Sequence, residues 1–564
     1  MPRRWTLKAP PGLRIVLDYR RAWLPADLAA GAALSAALIP AGMAYAEAAG
    51  LPAVSGLYAS VVPLLVYAVF GPSRVLIVGP DSSLVPMIAA AVLPLAAGNP
   101  GHAVALAGVL SVLIGLILVA GRLLRLGFVT GLLSKPIRVG YLNGIALVVI
   151  ASQVPRLFGL PAEGGSPADA VAATVRGLAQ GAAHPVALLF GAGSITIILA
   201  CRALPWKVPG VLLAVLAAVA ATAAVGSDAV GPVVGALPPG PPAPELGSVR
   251  AAEVLALLGP AAGIALIAFA DTSVLSKSLA RRDGTHVDGN QEMGALGLAN
   301  AACGLLGGFP VSGSASRTPV ALQAGARTPV SGLTAAALVV LFMVAAPGVT
   351  AYLPSSTLAA VVIVAAASII DVRTLVRLVR MSRTETALLL ATFLGVAFVG
   401  VLEGVVVAIG LSLMVFVLRA WDPYRTELGS VRGRPGYHDL SRHPEGSRVP
   451  GLVIARFDAP LFFANGAVFA EHIRNLVAQS PGPVRWVLVA SEAITDLDTT
   501  ALDDLVELDD ELARQGISLV FAEMKGPIKD RLLRFGVSGR FGPDHFYPTV
   551  HNAVRSYRRR FDLP

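Results

Sequence analysis

Charge is scarce in this chain. Of its 564 residues only 14% are Asp, Glu, Lys or Arg while 55% are apolar, which is too little charge to cover one soluble body and points to a polytopic membrane protein. Cysteine is scarcer still. Cys201 and Cys303 both fall in apolar segments without ligand spacing, which weighs against a disulfide framework or metal site and reads them as small core hydrophobes. A Ser/His/Asp order, a phosphate-cradling P-loop and zinc-ligand spacing are also missing, so neither an enzyme nor a cofactor is expected. The formal net charge of +9 comes from basic residues beside apolar segments and needs no nucleic acid to explain it. Arg3, Arg4, Lys8, Arg14, Arg20 and Arg21 precede the first apolar stretch without a small-residue cleavage site, so no cleaved signal peptide is expected.

What the chain does have is apolar length. Residues 1–26 read as a basic cytoplasmic lead-in with Trp5 and Trp23 at headgroup level, and residues 27–420 as a membrane domain. Its segments fall near 27–46, 54–70, 84–97, 102–121, 137–153, 184–203 and 208–226, then near 254–280, 291–306, 316–324, 328–347, 354–370, 385–400 and 402–419. That is seven and seven, and an odd number of crossings inverts the second half relative to the first. Arg122, Arg125, Lys135, Arg138, Arg281 and Arg282 are among the many basic residues on one side, against Arg156, Arg176 and Arg250 on the other, which puts both termini in the cytoplasm of a plasma (inner) membrane. Residues 231–247, rich in Pro and Gly, read as an extended external linker between the halves. Residues 421–450 read as a polar linker, and 451–564 as a soluble α/β domain with strands near 452–457, 484–489 and 517–522.

Two polar interruptions stand out in this apolar background. Gly307-Gly308-Phe309-Pro310-Val311-Ser312-Gly313-Ser314-Ala315-Ser316-Arg317-Thr318 leads into a short helix, and Val78-Gly79-Pro80-Asp81-Ser82-Ser83 into another. Irregular backbone at membrane depth is tolerated only where protein or an aqueous cavity surrounds it, so paired interruptions predict a transport site. Arg317 would hold one fixed positive charge at a half-helix N-terminus, where an anion is favoured; the alternative is a loop arginine that snorkels. Pro40 and Gly42 predict a further break in the first span. Asp271 lies in an apolar span where an uncompensated carboxylate costs about 2.5–3.5 kcal/mol, which predicts either a proton or sodium relay or a cap on nearby N–H groups. Glu47 and Glu403 read rather as interfacial.

Pro40-Ala41-Gly42-Met43-Ala44-Tyr45-Ala46, Val78-Gly79-Pro80 and Val311-Ser312-Gly313-Ser314-Ala315-Ser316-Arg317-Thr318 resemble the SulP family of anion transporters, called solute carrier family 26 in animals. The tail, with Phe457-Asp458-Ala459-Pro460-Leu461-Phe462-Phe463, resembles its STAS domain. The resemblance implies a polytopic α-helical membrane protein of 14 segments in a 7+7 inverted repeat with two half-helices, then a cytoplasmic STAS domain, in a homodimer. It also implies an anion site lined by Tyr45, Gly79, Pro80, Asp81, Ser82, Ser316 and Arg317. Ala41 stands where many members have Gln, Asp81 where many have an apolar or aromatic residue, and Asp271 where many have Glu. Asp81 is expected to pair with Arg317 when no anion is bound and, with Asp271, to couple transport to a proton. The expected activity is secondary active transport of an inorganic anion, sulfate first, by proton symport. The alternatives are sodium-coupled bicarbonate transport, proton-coupled dicarboxylate transport, and a membrane-anchored STAS sensor or scaffold that recruits a cytoplasmic protein. In Asp496-Leu497-Asp498-Thr499-Thr500-Ala501, Thr499 occupies the phosphoacceptor place of bacterial STAS regulators, although Ala501 replaces the usual Gly and a plain helix cap is the competing reading.

Overall fold

The computed structural model describes residues 10–131, 134–161, 167–203, 210–238, 246–537 and 539–563. Trp5 and the middle of the 231–247 linker lie outside the described residues. The first half contains α1 (Pro11–Leu17), α2 (Leu24–Ala48), α3 (Ala53–Phe70), the strand β1 (Val78–Gly79), α4 (Val85–Ala96), α5 (Pro100–Leu123), α6 (Lys135–Leu157), α7 (Pro167–Ala179), α8 (Pro185–Ala203), α9 (Gly210–Val225) and α10 (Ser227–Val230). The second contains α11 (Ala251–Arg282), α12 (Gly289–Leu305), β2 (Ser312–Gly313), α13 (Arg317–Gln323), α14 (Val330–Ala345), α15 (Ser355–Ala367), α16 (Val372–Met381), α17 (Arg383–Leu394) and α18 (Val401–Trp421). A helix thus falls at each apolar segment of the sequence. Among the described residues seven helical stretches are long and apolar enough to cross a membrane unaided, α2, α3, α5, α6, α8 and α11 among them.

The two halves exchange partners. α5 packs on α11 and α12, and its counterpart α14 packs on α2 and α3; α6 packs on α15 and α17, and its counterpart α15 on α6 and α8. Such swapped contacts are what a pseudo-two-fold relation between repeats produces. They sort the helices into a bundle of α2–α5 with α11–α14, and a second built on α6, α8, α9, α15 and α17. In the first bundle α5 and α12 approach almost backbone to backbone, since a Cβ on Gly304 would stand 2.3 Å from the Gly108 carbonyl oxygen and one on Gly115 2.7 Å from that of Gly297. Small residues at helix crossings are how membrane helices gain packing without a hydrophobic drive between them.

The same symmetry places two acidic clasps. Asp27, buried in the first turn of α2, accepts from the backbone N–H groups of Arg327 (2.7 Å) and Thr328 (3.2 Å) and from the Thr328 hydroxyl (2.7 Å), satisfying the chain that enters α14. Glu253, in the first turn of α11, meets His102 Nε2 at 3.2 Å in the first turn of α5.

Three readings are corrected. α2 is one continuous helix through Pro40, not a broken span. The neighbour restrains it there: Gly42 lies directly on Gly56 of α3, where a Cβ would be 1.9 Å from the Gly42 carbonyl oxygen, and tight packing holds the axis where an isolated helix would kink. α7 and α16 have no counterpart in the apolar segments, because both are amphipathic. Finally, the soluble sheet begins at Arg425, inside the stretch read as a linker.

That soluble unit is compact on its own from Leu413. It has β3 (Arg425–Ser430), β4 (Tyr437–Asp439), β5 (Leu452–Phe457), α19 (Gly466–Ala478), β6 (Trp486–Ala490), α20 (Thr499–Arg514), β7 (Ser518–Ala522), α21 (Gly526–Arg534), β8 (Phe546–Tyr547) and α22 (Val550–Arg560). The strand order is β4-β3-β5-β6-β7-β8, parallel from β5 to β8 and antiparallel at β3 and β4. Continuously buried strands such as β6 mark a sheet covered on both faces. One face packs Phe457 and Leu519 of the sheet against Phe469 of α19 and Leu508 of α20, the other Ile454 and Trp486 against Tyr557 of α22.

Candidate anion-binding site

The two interruptions meet. β1 and β2 pair antiparallel, Val78 opposite Gly313 and Gly79 opposite Ser312. The crossing is extended by the Ser314 N–H donating to the Ile77 carbonyl (2.8 Å) and the Ile77 N–H donating to Thr318 Oγ1 (3.2 Å). Buried side chains close the remaining backbone groups. Asn300 of α12 takes both groups of Val311, donating to its carbonyl (3.0 Å) and accepting from its N–H (2.9 Å), while Thr272 Oγ1 of α11 accepts from the Gly313 N–H (2.8 Å). Non-helical chain survives at membrane depth because its polar groups are paired inside the protein.

Arg317 opens α13 and is 3% exposed. Its Nε donates to Ser314 Oγ (2.9 Å), which also faces the Arg317 N–H (3.3 Å). The terminal nitrogens Nη1 and Nη2 are buried and have no hydrogen-bonding partner among the described residues. The guanidinium lies 5.8 Å from the Tyr45 ring centre, and a Cβ on Gly79 would sit 3.6 Å from Nη1. A buried cation with open donors is costly unless an anion completes it. α13 spans seven residues, too short to carry a dipole argument, so the positive charge here is that of the side chain itself.

Next to Arg317 in the chain, Ser316 reaches a cavity of about 420 Å³ that lies between the two bundles. Asp81, Ser82, Asp271 and Ser316 line it, with Arg138 of α6 and Ser368 beyond α15 on the opposite wall. Tyr45, Gly79, Pro80 and Arg317 are buried and are not among its lining residues. A larger cavity of about 720 Å³ among Arg14, Arg74 and Arg122 shares no lining residue with it.

The acids are joined by one hydroxyl. Ser83 Oγ stands 2.8 Å from Asp81 Oδ2 and 3.3 Å from Asp271 Oδ2, and Tyr141 of α6 donates to Asp271 Oδ1 at 2.7 Å. Asp81 also accepts from the Ser83 N–H (3.2 Å), so it closes a tight turn before α4 and is turned to Ser83. The expected direct pairing of Asp81 with Arg317 is therefore not formed: the short acidic side chain is already held by its own turn. Sequence reasoning did not single out Ser83, Ser314, Tyr141 or Arg138 as site residues; Tyr141, a polar group one turn into an apolar helix, carried the one available signal. Thr499, in the soluble unit, is exposed at the first position of α20, and Asp498 caps that helix by accepting from the Ala501 N–H (2.9 Å). Among the described residues no group of three or more His, Cys, Asp or Glu side chains is placed to hold a metal ion.

Comparison with known proteins bears on this arrangement. The sulfate permease family model matches residues 24–392, and the STAS domain model residues 443–553. The chain is 40% identical over 551 residues to a protein of Mycobacterium tuberculosis named "Probable sulfate transporter", covering 98% of each. It is 28% identical over 565 residues to the chloroplastic sulfate transporter 4.1 of Arabidopsis thaliana, covering 97% of this chain and 82% of that one. The structure of the murine solute carrier 26 family member A9 superposes with a TM-score of 0.89 at 21% identity, over 99% of this chain and 96% of that one. The transmembrane domain of a cyanobacterial bicarbonate transporter gives 0.60 at 24% identity, over 70% of this chain and 98% of that one. At such identities the two structures speak to the fold alone, a helical membrane domain that in the first case is followed by a STAS domain. The chain therefore belongs to the sulfate permease family, as a multi-pass membrane transporter of anions with a C-terminal STAS domain, and not an enzyme.

Proposed function

We propose that the protein is a secondary active transporter that carries sulfate together with a proton across the plasma membrane, as a homodimer with both termini in the cytoplasm. The observation that carries the anion site is the buried guanidinium of Arg317, whose Nη1 and Nη2 have no hydrogen-bonding partner among the described residues. Sulfate offers oxygens in the fork geometry that a guanidinium matches, while Ser82 and Ser316 at the cavity wall supply hydroxyl donors. A permanent cation at this place also disfavours a site that must admit sodium.

The coupling follows from the acids. The Ser83 hydroxyl has one proton and faces two carboxylates, so it satisfies one of them at a time. An entering dianion adds negative charge beside both. Uptake of one proton by the Asp81–Ser83–Asp271 group relieves that repulsion, so proton and anion binding favour each other by the same factor. The cavity is bordered by Arg138, Ser278 and Ser368, near the α6 start and the α11 and α15 ends, where the basic residues that mark the cytoplasmic side collect.

The test is sulfate binding and proteoliposome counterflow by Arg317→Ala. Affinity is expected to fall at least thirtyfold, about 2 kcal/mol, with the fold intact; affinity within threefold of wild type for every anion tried would refute the site.

A further inference from the structure

We propose that α16 is an interfacial helix that binds the negatively charged headgroups of the bilayer around the protein. Its ten residues join two membrane segments with little slack. Asp371 caps its start, accepting from the Thr374 N–H (3.0 Å) and hydroxyl (2.6 Å), and Ser382 both ends it and caps α17 through the Glu385 N–H (3.3 Å). The helix therefore begins and ends where a span does.

Three stripes run along it. Leu375 and Leu378 pack on Val139 of α6 and Leu389 of α17. Val372, Val376 and Val379, spaced to share one face, are 58%, 40% and 50% exposed. Arg373, Arg377 and Arg380 repeat the same spacing one residue on, so they form the adjoining face, and they are exposed too. An open groove of about 560 Å³ lined by Val372, Arg373, Val376, Arg377, Arg380 and Met381 contains no carboxylate.

No uniform solvent suits this surface. Water leaves the valine stripe exposed, and hydrocarbon leaves the arginines unsolvated; the boundary between acyl chains and headgroups serves both, with arginine stems lying along the apolar face and their heads at the phosphates. Charge complementarity selects anionic lipid as the occupant. The binding has a route to the transport cavity, because Ser368 and Ile369, just before Asp371, and Arg138, next to Val139, all line it. Anionic lipid thus holds the second bundle to the bilayer at the cavity mouth.

The test uses the full-length protein in lipid nanodiscs, with hydrogen exchange of the amides of residues 372–381 as the readout. Phosphatidylglycerol discs are compared with phosphatidylcholine discs, and with phosphatidylcholine discs plus soluble glycerol phosphate. Exchange is expected to slow at least threefold in phosphatidylglycerol only, to lose that protection in high salt, and to be insensitive to lipid in the triple variant R373Q/R377Q/R380Q. Should that variant fail to fold, Arg377→Gln should halve the protection and Arg377→Lys restore it. Equal protection by glycerol phosphate would overturn the bilayer as the source. Protection that is independent of lipid but scales with the number of copies per disc would assign the surface to a second chain instead, and no difference between lipids would refute the proposal.

Discussion

Ser83 is a small residue with a decisive position. Because its hydroxyl is the link between Asp81 and Asp271, the coupling assigned to these acids depends on three side chains acting as one unit. Asp81→Asn is expected to leave sulfate uptake flat from about pH 5 to pH 8, where wild type is stimulated by acid; full acid stimulation in the variant would remove Asp81 from the coupling. Ser314→Ala tests the support of Arg317. It removes the acceptor that fixes Nε (2.9 Å), and should weaken anion binding by about tenfold, ~1.4 kcal/mol, without unfolding, as measured by titration with labelled sulfate. Arg317 and Asp271 were legible in the sequence because a charge inside an apolar run has a solvation cost that must be answered. Ser83 and Ser314 were not, since serines in a Gly/Ser-rich interruption look alike until the chain folds, bringing Asp271 to Ser83 and turning the Arg317 side chain back onto Ser314.

Among elements, the shortest proved the hardest to read. β1 and β2 are two residues each, below any periodicity, yet they form the crossing on which the site rests. Asn300 is what holds that crossing from behind. Asn300→Ala leaves both polar groups of Val311 without their partners, a loss of about 2–3 kcal/mol if neither finds a replacement, and is expected to lower the melting temperature in detergent by several degrees while Asn300→Asp recovers part of it. α2 was read as broken because Pro40 is judged by its own chain, whereas Gly56 on the neighbouring helix decides the outcome. β3 and β4 were taken for a linker because their composition is polar; β3 is ordered by pairing with β5, a long-range fact, and β4 by pairing with β3. Asp439 in β4 accepts from Thr426, Tyr424 and Ser441. Burial alone would push its carboxyl up, but these donors outweigh it and hold it well below the usual carboxylate range. Its contribution is therefore present above the ordinary carboxylate value and is lost as pH falls through the lowered one. Melting of the soluble unit should fall on acidification toward pH 2, and Asp439→Asn should flatten that fall.

At the scale of the whole molecule, the order of membrane and soluble parts was legible from composition alone, because a switch from apolar runs to alternating polar ones cannot be hidden. The boundary was not. Asn465 donates to the Ala420 carbonyl (3.1 Å) inside the unit that begins at Leu413, and β3 pairs with β5, so a truncation belongs before Arg425, since a cut at residue 430 would leave β3 without its sheet. Removing residues 422–564 is expected to leave a protein that still inserts and binds sulfate, checked by membrane extraction and ligand binding.

The exchange of partners between the two halves also has a consequence for how the chain is made. When a ribosome has delivered the first half to the membrane, the surfaces that α3 and α5 must bury do not yet exist: α12, which brings Gly297 and Gly304 against Gly115 and Gly108, and α14 are still to be synthesised. The clasp at Asp27 waits for Thr328 in the same way. The early helices must therefore be sheltered until the late ones arrive, and neither half is a viable product by itself. A gene split within the linker at residues 231–247 should give two fragments that are each degraded when expressed alone and that accumulate when made together, with the partner fragment acting as the missing part of a shared core.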